Sequence, residues 1–394
     1  MIESKHYFDW AATTPPDREI LTKALDFSIE HWGNPSSIHK AGTDARAALE
    51  ETRKNCAEIL GVKAEQLYFT SGGTESDHLA LLQILTRPQK GSILLSAIEH
   101  PALREMAKMV KNCGWKVITV NPDKNGTVQS EQIIANLQED TAFVTVMSVN
   151  NETGTVQNIY DIADKLTQWA KGKRRPFFHV DCVQAAGKIP LNLSYPGIDS
   201  ASFSAHKIRG PRGIGLLYSA RPFTSFLKGG GQEKNIRSGT ENLFGAKAFE
   251  LALEKYYIRE ALPSSMEKFR NQQNLTKKFI QELGTIKGCT LIPHCRLTQD
   301  DEIQKNFSPY VIQASFPGIP GQVMERALST EGFYISTGSA CSSGHHSRPV
   351  LDTMQISGAE KEAAVRFSFG PDTQWSEMND LLEKLKEIAL KFAR

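Results

Sequence analysis

From about residue 65 to residue 220, short apolar runs alternate with stretches whose apolar positions recur every three or four residues. The runs predict strands over 67–70, 93–96, 117–120, 143–148, 177–181, 201–204 and 214–218. The intervening patterns, such as 77–85 and 159–170, predict helices. This alternation predicts an α/β fold whose mainly parallel sheet is covered by helices on both faces. Upstream, 16–32 reads as an amphipathic helix with Pro16 and Asp17 in its first turn, and 41–60 as another, closed by Gly61. In the latter, a stripe of Ala45, Leu49, Thr52 and Cys56 makes Cys56 a core residue. Residues 240–283 are largely helical in pattern, broken near Pro263. Beyond them, strands are expected at 290–293, 311–316, 334–336 and 365–369. A final helix carries Met378, Leu381, Leu382, Leu385, Ile388 and Phe392 on one face. The pattern divides the chain into a large domain over 16–258 and a smaller α+β domain made of 1–15 and 259–394.

Composition adds mainly exclusions. With 46 Lys plus Arg against 44 Asp plus Glu, no bulk charge argues for nucleic acid or an anionic membrane. The basic run from Lys171 to Arg175 reads as a solvated loop. No apolar stretch approaches the roughly 20 residues of a spanning helix, and the first residues lack a signal peptide's apolar region. Six cysteines without a Cys-x-x-Cys or repeated spacing fit a reducing cytosol, so a cytoplasmic protein is expected.

Candidate chemistry begins with Phe177-Phe-His-Val-Asp181-Cys-Val-Gln184 and Ser204-Ala-His206-Lys207. Each segment ends a buried-strand pattern, where open α/β sheets place their ligands. Pyridoxal phosphate needs a lysine for its aldehyde and a carboxylate facing its pyridine nitrogen, so that the ring stays protonated and accepts electrons. Lys207 and Asp181 are candidates for these roles, and Gln184 for a donor to the phenolic oxygen. Ser204 and His206 are within reach of a phosphate. By its segment alone Asp181 reads equally as a helix cap, while the ordinary reading of Lys207 is a turn lysine, against which the flanking Ser204 and His206 argue. Thr70-Ser-Gly-Gly73-Thr74-Glu-Ser76 joins a strand to a helix start, which seats a phosphate or simply caps the helix. His100, after Glu99, is a candidate to lie on the ring, or else a hydrogen-bonded loop histidine. In Ser336-Thr-Gly-Ser-Ala-Cys341-Ser-Ser-Gly-His345-His346, small residues surround the thiol, the setting of an exposed loop with a reactive cysteine. No metal site is expected, because adjacent histidines rarely converge on one ion.

The motifs recur in the order of a known family. They are Asp9-x-Ala-Ala-Thr-Thr-Pro15, Gly33-Asn-Pro-Ser-Ser-x-His39, Thr70-Ser-Gly-Gly-Thr-Glu-Ser76, Glu99-His100, Val149-Asn-Asn-Glu-Thr-Gly154, His179-Val-Asp181, Ser204-Ala-His-Lys207, Arg237-Ser-Gly-Thr240, Gly338-Ser-Ala-Cys341 and Val365-Arg-Phe-Ser368. Over nearly its whole length the chain resembles the cysteine desulfurases of the NifS/IscS group, fold type I pyridoxal phosphate enzymes of the class V aminotransferases. The resemblance implies Lys207 as the lysine that holds the cofactor, His100 stacked on its ring, Asp181 at the pyridine nitrogen and Gln184 at the phenolic oxygen. It implies Gly73, Thr74, Ser204 and His206 at the phosphate, joined by Thr240 from the neighbouring subunit of a homodimer. Asn151 would touch cofactor and substrate, Asn34 the substrate, and Arg366 its carboxylate. L-cysteine would become L-alanine, with its sulfur passing to Cys341 as a persulfide. From there it would pass to acceptor or scaffold proteins of iron–sulfur cluster assembly, or to thiocofactor synthesis. Selenocysteine lyase, another aminotransferase-like activity and an inactive scaffold are the alternatives. Gly73 departs from the resemblance, standing where the family often has alanine.

Overall fold

Seven strands form one sheet in the order β1-β7-β6-β5-β4-β2-β3. They are β1 (Leu67–Thr70), β2 (Ser92–Ser96), β3 (Lys116–Val120), β4 (Thr141–Thr145), β5 (Phe177–Asp181), β6 (Ser200–Ser204) and β7 (Gly215–Ser219). The computed structural model describes residues 4–298, 300–338 and 348–392. Strands β6, β5, β4, β2 and β3 run parallel, whereas β7 is antiparallel to both β6 and β1. The sheet is thus mixed and mainly parallel. Every residue of β4 to β7 is buried, which is why these strands read as apolar runs rather than as alternations. Beyond β4 the chain still follows β5, since Ser148 N donates to the Asp181 carbonyl at 2.9 Å.

The helices α1 (Arg18–Glu30), α2 (Lys40–Leu60), α3 (Gly73–Leu82), α4 (Pro101–Asn112), α5 (Ser130–Asn136) and α6 (Ile159–Trp169) connect or cover these strands. Helix α1 begins two residues later than its pattern suggests, because Asp17 serves as its cap, accepting from Glu19 N and Ile20 N. Helix α2 stops at Gly61, whose φ of 69° lies in the left-handed region glycine tolerates. Cys56 is fully buried, as its stripe predicts.

After α7 (Leu243–Tyr256) and α8 (Pro263–Gly284), a three-stranded antiparallel sheet of order β10-β9-β8 is built from β8 (Thr290–Ile292), β9 (Val311–Ser315) and β10 (Ala364–Ser368). The strand expected at 334–336 is reduced to isolated bridges, Tyr334 with Tyr7 and Ser336 with Arg366. The helix Trp375–Phe392 buries Met378, Leu381, Leu382, Leu385 and Ile388. Phe392, expected on that face, is 49 % exposed at the helix end. Phe8 packs into the same core as Phe279, Phe367 and Phe369, so the N-terminal segment joins the C-terminal part. Arg296, fully buried, ties the two parts together: it donates to the Thr153 carbonyl at 3.0 Å and to the Ser308 carbonyl at 2.9 Å.

Candidate active site

A cavity of about 250 Å³ opens where β5 and β6 end and α3 and α4 begin. Gly73, Thr74, His100, Asn151, Asp181, Gln184, Ser204, His206, Lys207 and Arg366 all line it, together with Asp77, Met147, Ala11 and Ala12. Residues spread over most of the chain thus converge on the carboxyl ends of the parallel strands.

At one end, Asp181 closes β5. Its Oδ1 accepts from Val183 N at 2.9 Å, so the carboxyl caps the next turn and also lines the cavity. The cap reading of its sequence context holds, and the carboxyl stands in the cavity wall as well. Behind it, the His179 Nε2 lies 3.1 Å from Asp77 Oδ1 and its Nδ1 lies 2.7 Å from Ser200 Oγ. Burial favours the neutral form of both partners, raising the Asp77 carboxyl and lowering the His179 imidazole. Burial, reinforced by Asp77, pushes Asp181 up to about 7.

This arrangement has a consequence for stability. A raised folded-state value means that Asp77's contribution is fully present below the ordinary carboxylate range and is lost as pH rises through about 7. Asparagine has no such loss. In denaturant melts of cofactor-free protein, Asp77→Asn is expected to gain stability relative to wild type as pH rises from about 4 to about 7. A difference between the two proteins that does not change with pH would contradict the buried, proton-linked carboxyl.

Lys207 ends the short helical turn Ala205–Lys207 that follows β6. Its Nζ donates to the carbonyls of Ala11 and Ala12, each at 2.7 Å, so the segment after Asp9 forms the roof over the amine. Gln184 Nε2 donates to the same Ala11 carbonyl at 2.8 Å.

At the opposite end, α3 starts at Gly73 without a side-chain cap, because the preceding residue is Gly72, held at φ 155°. The first-turn N–H groups therefore form a positive end open to an anion. Gly73 also has a packing reason to be glycine: a Cβ there would sit 2.6 Å from Val183 Cγ2. Ser204 and His206 complete this end. His206 Nδ1 lies 3.1 Å from Thr13 Oγ1, and burial together with Lys207 holds its imidazole down to about 4.

On the side wall, His100 caps α4, its Nδ1 accepting from Ala102 N at 3.2 Å. A backbone N–H only donates, so Nε2 carries the ring proton. Burial, then Lys207, holds the imidazole neutral, down to about 4. Glu99 beneath it accepts from Met147 N at 2.7 Å and pairs with Ser96. Burial raises its carboxyl to about 8.

Arg366 on β10 reaches the cavity from the C-terminal part. It donates through Nη1 to the Asn151 carbonyl at 2.9 Å and through Nη2 to Asp9 at 2.7 Å. Its buried Nε has no partner among the described residues. Asp9 and the Asn151 carbonyl thus hold the guanidinium in place at the cavity wall. Two expected residues lie apart from the cavity lining. Asn34 is exposed and accepts from Ser36 N at 2.9 Å. Thr240 is exposed in the loop that Arg53 and Arg237 anchor, through Glu233 at 2.7 Å and Glu75 at 3.2 Å. Cys341 lies outside the described residues.

Sequence reasoning missed Asp77, Lys188 and the Ala11–Ala12 carbonyls. Spacing carried a signal for the first two: Asp77 stands four residues after Gly73 on α3, and Lys188 four after Gln184. Backbone carbonyls leave none.

Residues 6–381 match the family described as Aminotransferase class-V. The chain belongs to the class V aminotransferase family. It is 34% identical over 394 residues to a "NifS/IcsS protein homolog" of Lactobacillus delbrueckii subsp. bulgaricus, covering 98% of each chain. To the "Cysteine desulfurase IscS" of Dictyoglomus turgidum it is 33% identical, covering 98% of this chain and 94% of that one. A solved structure of a "NIFS-LIKE PROTEIN" superposes with a TM-score of 0.85 at 34% identity, covering 98% of this chain and 99% of the other. The mixed sheet with a smaller antiparallel C-terminal sheet is therefore the NifS-like fold.

Proposed function

We propose that this protein is a pyridoxal phosphate-dependent cysteine desulfurase, converting L-cysteine to L-alanine and passing the sulfur to Cys341. The observation that carries the reading is one cavity with a lysine amine, a buried carboxyl and an uncapped helix N-terminus on its walls. It occurs in a chain 33% identical over almost its full length to a cysteine desulfurase. The donor set fits the cofactor's three handles: Gly73, Thr74, Ser204 and His206 for the phosphate, Asp181 for the ring nitrogen and Gln184 for the phenolic oxygen. Lys207 and Arg366 would supply positive charge that an anionic cofactor and substrate offset, whereas burial and these two cations push the Lys188 amine well down from the usual lysine range.

When bound, pyridoxal phosphate supplies an aldehyde for the substrate amine and an electron-poor ring that takes up charge released at the substrate carbon. Lys207 would hold it through its amine and would move the proton at the substrate Cα. His100, neutral with its proton on Nε2, lines the cavity and would relay protons beside the cofactor. Arg366 and Asn151 orient the substrate carboxylate. The Cβ–S bond breaks with its electron pair left on the alanine skeleton. The Cys341 thiolate forms the new S–S bond, giving a persulfide.

Loaded enzyme given L-cysteine should release L-alanine and, with a thiol reductant, sulfide in equal amounts. Amino-group transfer to an oxo acid instead would make it an aminotransferase. Arg366→Leu leaves the Asp9 carboxylate unpaired and removes the guanidinium. It is expected to lower kcat/KM for L-cysteine roughly a hundredfold, about 3 kcal/mol, mostly through KM. An unchanged KM would show that the carboxylate binds elsewhere.

We assign 16–258 to the cofactor-binding domain, and 1–15 with 259–394 to the small domain that carries the Cys341 segment. We also infer a homodimer in which exposed Thr240 completes the phosphate site of the neighbouring copy, and we assign Asn34 to substrate binding. Sulfur-acceptor or scaffold proteins of iron–sulfur cluster assembly are the partners this activity needs. Cysteines free at 56, 113, 182, 289 and 295 support a reducing, cytoplasmic setting.

A further inference from the structure

Lys188 is 4 % exposed, and its amine hydrogen-bonds the side-chain oxygen of Gln184. The charged groups that bear on it are Lys207 and Arg366, both cations. A buried lysine beside two cations is costly and calls for a compensating role. The fold holds it there by local geometry. Residues 182–189 form a helix-like turn in which Ala186 N donates to the Cys182 carbonyl and Ile189 N to the Ala185 carbonyl, each at 3.0 Å. Gly187, at φ 69°, interrupts the helical path, and the turn still brings the Lys188 amine onto the Gln184 side chain.

The chemistry of the partners fixes how the Gln184 amide is turned. Its oxygen accepts from the Lys188 amine. Its Nε2 faces the Ala11 carbonyl at 2.8 Å, and a carbonyl can only accept. That same carbonyl receives a Lys207 N–H at 2.7 Å. With the oxygen occupied at Lys188 and one N–H at Ala11, the second N–H of Nε2 is left for the cavity that Gln184 lines.

We propose that Lys188 is a positioning residue that locks the Gln184 amide so that an N–H, rather than the amide oxygen, is offered to the phenolic oxygen of pyridoxal phosphate. This rests on the cofactor reading above. Without the amine, the Gln184 oxygen loses its tether, and the turned amide sets lone pair against lone pair at the phenolic oxygen.

The test uses purified protein loaded with pyridoxal phosphate, read by the ratio of its visible to near-ultraviolet cofactor bands and by the cofactor dissociation constant. Lys188→Met is expected to shift the band ratio toward the near-ultraviolet and weaken binding, each by roughly twofold to tenfold, the worth of one hydrogen bond. Gln184→Leu should shift the ratio in the same direction. The Lys188→Met/Gln184→Leu double variant should go no further than Gln184→Leu alone. Lys188→Gln, which keeps a donor, should restore the wild-type ratio. Lys188→Leu replaces Lys188→Met if the latter does not fold. An unchanged ratio in Lys188→Met while Gln184→Leu shifts it overturns the proposal, as do additive effects in the double variant. A wild-type protein that gains no visible band with the cofactor overturns the cofactor reading itself, a distinct result.

Discussion

Lys207→Ala is expected to lower L-alanine formation from L-cysteine roughly a thousandfold or more, since it removes both the covalent anchor and the proton carrier. The amine in the wild-type chain is held by the Ala11 and Ala12 carbonyls, each 2.7 Å away. Its removal leaves two carbonyls facing the cavity, a polar loss the enclosed space does not repair. Borohydride reduction separates the anchoring role from general damage. Reduced wild-type protein should carry the cofactor mass on the peptide containing Lys207, and the variant should carry none. Lys207→Arg keeps a cation under the same roof and should be nearly as inactive, because a guanidinium cannot take the amine's role at neutral pH. Activity within tenfold of wild type in Lys207→Ala would remove Lys207 from the reaction.

The second large effect is at Asp181. Replacing it with asparagine keeps the shape and the cap on Val183 N, held at 2.9 Å in wild type, but removes the charge we propose faces the ring nitrogen. A carboxylate at contact distance raises the basicity of such a nitrogen by about 1 to 3 units. At about 1.4 kcal/mol per unit, the protonated ring and the rate should fall roughly tenfold to a thousandfold. In the cofactor-free chain burial and Asp77 push Asp181 up to about 7. A cationic ring placed there would pull it back down and keep it ionised, so cofactor and carboxylate would stabilise each other. Asp181→Asn should therefore also bind the cofactor more weakly, as read by equilibrium dialysis. Wild-type rate and affinity together in this variant would place the ring nitrogen elsewhere.

Much of this was legible in the chain because the chemistry follows buried strands. Apolar runs locate β5 and β6, and the polar residues at or just past their carboxyl ends, Asp181, Ser204, His206 and Lys207, line the cavity. The Gly73–Thr74 turn was visible for a like reason, since a strand followed by glycine and a helix leaves N–H groups uncapped. What stayed hidden was pairing across long separations. Nothing in the local pattern tells that the Ala11 carbonyl meets both Lys207 and Gln184, or that Asp9 holds Arg366. The 334–336 segment misled because its alternation is real but its partners, Tyr7 and Arg366, each pair with one residue. Arg296 likewise gave no sign that a charged residue would be fully buried among carbonyls at the junction of the two parts.

The sulfur of L-cysteine is expected to pass to Cys341. Loaded protein treated with L-cysteine, then alkylated and digested for mass spectrometry, tests it most directly. The Cys341 peptide should be one sulfur atom heavier, in proportion to the L-alanine released, and should return to its original mass when a sulfur acceptor is added. L-alanine and sulfide formed at the full rate with Cys341 unmodified, or the added sulfur found on another cysteine such as exposed Cys113, would contradict it.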